Sequence, residues 1–124
     1  MRAPEALHGL RVVAEPSVLD ALTWPDGVAA LRLAPDDLFA LAAPPIEVAG
    51  AVVEEETGFV GWWLTFGEVH DQLREHVDWP LPEALPALAQ GLVAGVPARL
   101  WLTNDRALLF CSAAYAHELE ARLP

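Results

Sequence analysis

The sequence has no lysine, a single cysteine and no long apolar run, and each absence removes a class of explanation. With 18 acidic residues against seven arginines the formal net charge is -11, so no cationic surface is on offer for phosphates or anionic lipid headgroups. Nucleic acid and membrane surfaces are not expected partners. Cys111 alone cannot form an internal disulfide or a cysteine-based zinc site. No apolar stretch reaches the roughly 18 to 20 residues that a membrane-spanning helix needs. The opening "MRAPEALHGLRVV" has neither a basic segment leading into an apolar one nor a small-residue cleavage site, which makes a cytoplasmic location the expectation. The G-x-S-x-G pattern of a catalytic serine is missing. The glycines of "GFVGWWLTFG" are separated by strand formers with no lysine after them, so no phosphate loop is present.

What remains is an apolar chain of 124 residues, 54% hydrophobic, with a mean hydropathy of +0.30. That length fits one domain spanning 1–124, large enough for a core without metal or disulfides. "GLRVVAE" (9–15) has the β-branched content of a short strand, and Pro16 with "SVLDALTW" predicts a helix of about two turns. "GVAALRLAPDDLFALAA" (27–43) reads as a hairpin turning at "APDD". In 49–67 the pattern predicts a strand pair around a solvated acidic turn, Glu54 to Glu56. "EVHDQLREHV" (68–77) spaces Val69, Leu73 and Val77 as an amphipathic helix. A short helix is expected in "EALPALAQ", stopped by Gly91. "VPARLWLTNDRALLFCS" (96–112) is a second hairpin, turning at Asn104 and Asp105. The closing helix, 113–123, aligns Tyr115, Leu119 and Leu123, with Ser112 placed to cap it. Strands outnumber helices, and helices follow pairs of strands. The order predicts a two-layer α+β fold, an antiparallel-rich sheet with helices mainly on one face.

Such a sheet has a second face, and this one is aromatic. Side chains alternate along a strand, so Val60, Trp62 and Leu64 point one way and Phe59 and Trp63 the other. In 96–102, Ala98, Leu100 and Leu102 form an apolar set that leaves Arg99 and Trp101 opposite. Burying a large aromatic side chain is worth about 2 to 3 kcal/mol, and tryptophan and arginine are enriched at binding hot spots. Phe59, Trp63, Arg99 and Trp101 are therefore the candidate partner-binding residues. Cover by the N-terminal segment or by the proline-rich stretch 78–91 is the alternative.

No constellation for chemistry emerges. His8, His70, His76 and His117 lack the i, i+4 spacing of a metal pair. Asp71 and Glu75 read as a solvated helix face, and Cys111 as a buried, inert thiol. Catalytic and metal residues are accordingly assigned to none.

"LRLAPDDLFAL" (31–41), the strand ending in Gly67 with its following helix, "VDWPL" (77–81) and the arginine-bearing hairpin in 91–110 together resemble the gamma subunit of heterotetrameric sarcosine oxidase. That subunit is related to the folate-binding aminomethyltransferase domains. Ala34 stands where a glycine is common in this family's turn, and Glu68 where a proline is usual. The resemblance implies an accessory subunit without catalytic machinery or cofactor of its own, docked on the folate-binding part of a larger flavin-dependent oxidoreductase subunit. FAD or FMN, NAD and folate would then belong to the partner complex. Two other readings use the same residues: a stand-alone domain that binds a folate-like molecule through Trp63, Trp101 and the Arg99 cation, and a homodimer paired through this face.

Overall fold

Turn residues and prolines divide the chain into nine short strands, β1 (Glu5–Ala6), β2 (Gly9–Val13), β3 (Ala29–Ala34), β4 (Asp37–Leu41), β5 (Val52–Glu56), β6 (Phe59–Leu64), β7 (Ala87–Val93), β8 (Val96–Leu102) and β9 (Ala107–Ser112). The structure, a computed structural model, describes residues 1–124. Its helices are α1 (Pro16–Asp20), α2 (Phe66–Glu68) and α3 (Ala113–Arg122); α2 continues as a π-helical turn, Val69–Leu73, and a 3-10 turn, Arg74–His76. The α+β class and the antiparallel pairing agree with the sequence reading. The strands divide between two sheets, ordered β1-β6-β9-β8-β7 and β3-β4-β2-β5. Two compact units result, one of Met1–Ala6 with Gly58–Pro124 and one of Leu7–Thr57. No helix is long and apolar enough to cross a membrane.

In the unit of residues 7–57, the β3–β4 hairpin turns at Pro35 and Asp36 as the sequence predicts. Leu10, Val12, Leu38 and Ala40 pack with Leu19 of α1 into one core. That helix is shorter than two turns, the chain leaving it ahead of Trp24 and Pro25; a residue before proline is disfavoured in helical conformation. The glutamate run is not a turn: Glu54, Glu55 and Glu56 lie within β5, paired to β2. Arg11 accounts for this. Its Nε and Nη2 donate to the two Asp37 carboxylate oxygens at 2.6 and 2.7 Å, and its Nη1 donates to Glu56 Oε1 at 2.7 Å. One guanidinium thereby ties three adjacent strands, and its bidentate fork is the strong form of such a contact. β5 and β6 also do not pair, because they belong to different sheets.

In the other unit, one face of the five-stranded sheet is closed by helices. Trp62, Leu64, Leu100, Leu102, Leu109 and Cys111 pack there with Val69 and Leu73 of the π-helical turn and Leu119 of α3. The turn at 65–68 is fixed by a capping box, Glu68 N–H donating to Thr65 Oγ1 and Thr65 N–H to Glu68 Oε1, both at 3.1 Å. The Thr65 amide, and then Arg2, hold the Glu68 carboxyl below its ordinary pKa. The amphipathic helix expected over 68–77 is irregular and ends at His76, while Val77 bridges to Val93.

Two expectations here are corrected. No helix forms in 83–90; Ala87–Val93 is an edge strand paired along its length with β8, and Gly91 lies within it. A Cβ at Gly91 would sit 2.5 Å from Trp79 Nε1, so the glycine lets an indole lie on the strand. Ser112 makes no side-chain cap; instead the Ala113 amide donates to the Gly58 carbonyl at 2.8 Å.

Candidate functional site

The face of the five-stranded sheet turned away from these helices carries all four residues singled out in the sequence. Registers place them. Trp63 of β6 and Trp101 of β8 are both paired with Leu108 of β9, which runs between those two strands. Neighbouring strands lie about 4.8 Å apart, so the two indoles start about 10 Å apart and lean together across Leu108. Their ring centroids meet at 6.0 Å with an interplanar angle of 63°, an edge-to-face contact of the favoured kind.

Burial separates the four. Phe59 is 6% exposed and packs edge-to-face on Phe110, centroids 5.5 Å apart. Trp62, as expected, is buried in the core on the opposite face. Trp63, Arg99 and Trp101 are half-buried and keep surface. Neither outward indole is sealed inside the chain, whereas Phe59 has almost no surface left to offer.

Two guanidinium groups lie on this face. Arg99 donates from Nε to Gln90 Oε1 at 2.7 Å, and its guanidinium lies 5.4 Å from the Phe59 ring centroid and 6.0 Å from that of Phe110. Arg106 is stacked on an indole, its guanidinium carbon 3.8 Å from the Trp63 ring centroid. Such contacts contribute about 0.5 to 1 kcal/mol at exposed sites, rising when water is excluded. Arg106 was missed in the sequence because it sits in the hairpin turn. The signal is its position two residues before Leu108, on the same side of the strand.

The apolar surface continues to the sheet edge. Leu88 is paired with Trp101, and Leu92, 47% exposed, with Pro97, so both leucines share this face. The sequence pattern predicts a helix over Leu88, whereas its pairing within β7 is what brings it to this face. Together Trp63, Trp101, Leu88 and Leu92 make an apolar surface that Arg99 and Arg106 supply with two permanent positive charges. The indoles are steeply inclined to each other, which suits a contoured partner better than a flat ring laid across both.

On the opposite face, Cys111 is fully buried, and that burial pushes its thiol up to about 11, partly offset by the Arg99 charge. Reactivity requires the thiolate. Labelling by an aromatic disulfide reagent at pH 8 is expected to be at least about a hundred-fold slower in the native chain than in denaturant. Rapid native labelling would show that β9 opens locally. No group of three or more His, Cys, Asp or Glu side chains is placed to hold a metal ion.

No protein-family model, curated protein or solved structure matches the chain.

Proposed function

We propose that the chain is a non-catalytic accessory subunit of an oxidoreductase complex of the sarcosine oxidase type, docking through the Trp63–Trp101 face on the folate-binding part of a larger flavin-dependent subunit. The observation that carries the docking step is the pair of half-buried indoles meeting at 6.0 Å with Arg106 stacked on one of them. Aromatic and arginine side chains are what interface centres are enriched in. The kind of complex rests on the likeness of 31–41 and 91–110 to the gamma-subunit pattern. A cytoplasmic location belongs to the same reading.

The test is coexpression with a large flavin-dependent subunit of the sarcosine oxidase type. Copurification is expected, with the tryptophan fluorescence of the complex less quenched by iodide than that of the free chain. Trp63→Ala and Trp101→Ala should each weaken association by about 30-fold, the consequence of losing a hot spot of about 2 kcal/mol. A chain that never copurifies, or a complex indifferent to both substitutions, overturns the proposal.

A further inference from the structure

A groove of about 640 Å³ lies on the helix-covered side of the five-stranded sheet, away from the indole pair. Phe66, Val69 and Leu102 line it from one side, and Leu81 and Leu85 from the proline-rich segment line the other. This volume falls within the range usual for small-molecule sites, which combine an apolar lining with a few placed polar groups. Here those groups are His70, Arg74 and Glu83. His70 and Arg74 are four residues apart and so neighbours on the helix surface. The turn between them is π-helical, with the Arg74 amide bonded to the Val69 carbonyl.

Arg74 is unlike the other arginines. Arg2 pairs with Glu68, Arg11 with Asp37 and Glu56, Arg32 with Asp20 and Arg122 with Glu118. Arg99 holds Gln90, and Arg106 lies over Trp63. In a chain with 18 acidic residues for seven arginines, Arg74 alone has no carboxylate, carbonyl or ring of its own. It stands at an apolar groove instead.

The geometry points to this groove as a binding site for a small amphipathic carboxylate, its acid group held by Arg74 with His70 and its apolar body laid between Phe66 and Leu81. The planar guanidinium fork matches a carboxylate with two parallel hydrogen bonds.

The probes are 4-phenylbutyrate and its uncharged analogue 4-phenylbutanamide, titrated into the full chain and followed by amide chemical shifts. The acid is expected to saturate near or below about 1 mM, and the amide to bind about ten-fold more weakly, the loss of one charge-assisted contact. Arg74→Gln, an exposed substitution, should bring the acid down to the level of the amide. Arg122→Gln, which removes the same charge elsewhere, should leave it unchanged. Failure of the acid to saturate, equal binding of acid and amide by the unsubstituted chain, or an acid affinity indifferent to Arg74→Gln each overturns the site. None of these outcomes involves the Trp63–Trp101 face, so docking on a larger subunit is tested separately.

Discussion

Trp62→Ala is expected to lower the unfolding free energy by about 3 to 5 kcal/mol, the range for truncating a fully buried aromatic side chain. Trp62 is 1% exposed, on a strand flanked by β1 and β9, and packs in the cluster that includes Leu109, Leu73 and Leu119. Its indole N–H donates to the Arg2 carbonyl at 2.6 Å, so the same side chain ties the N-terminal segment to the sheet. The substitution leaves a cavity and removes that donor. Urea unfolding followed by circular dichroism measures the loss, which corresponds to a fall of roughly 10 to 20 °C in midpoint temperature. Trp62→Phe separates the two contributions, since it keeps most of the ring volume but not the donor; about 1 to 2 kcal/mol is expected from it. A Trp62→Ala chain within about 1 kcal/mol of the original would mean that this indole is not what fills the core.

Gly9→Ala is expected to destabilise the chain by about 3 kcal/mol, the upper part of the range for overpacking. Ordinarily the exchange favours a strand by about 0.5 to 1 kcal/mol, because glycine loses more freedom on folding. Here sterics outweigh that gain. A Cβ at residue 9 would sit 2.2 Å from the Ala40 carbonyl oxygen and 3.0 Å from Phe39 Cε1. The first obstacle is backbone, which cannot rotate away, and both neighbouring side chains are completely buried. β2 would have to separate from β4 at the start of their ladder, where Gly9 opposes Leu41. Gly67→Ala is the internal control: its nearest neighbour would be Thr65 Oγ1 at 3.7 Å, ordinary contact, so it should be neutral or slightly stabilising. Equal effects of the two exchanges, read from the same denaturant midpoints, would contradict the close approach at Gly9.

The hairpins were legible because turn chemistry and alternation agree in them. Pro35 and Asp36, and Asn104 and Asp105, each interrupt two apolar runs at hairpin spacing, and the strands formed on either side. The division of "GFVGWWLTFG" into a core face and an outer face was legible for the same reason, since a period of two leaves Trp62 and Trp63 no choice but opposite sides. Two segments misled through a conflict between local preference and long-range pairing. Residues 87–90 carry helix formers, yet the free side of β8 takes them as an edge strand. Glu54 to Glu56 look like a solvated turn until Arg11, more than 40 positions away, supplies a counter-charge within the sheet. The same limit hid Arg106, whose place over Trp63 depends on how β9 aligns with β6.

The discontinuous make-up of the larger unit bears on how the chain can assemble. Before β1 can meet β6, about 50 intervening residues have to be gathered in, a ring closure opposed by chain entropy. The four-stranded sheet shortens that task, because Gly9 at its start is paired with Glu56 at its end. Once it has formed, residues 8 and 57 leave it from adjacent strands, and the remaining loop is only a few residues long. That shortening is worth about 2 kcal/mol, which favours a sequence of events in which residues 9–56 fold first and act as the clasp that brings the chain's first strand home.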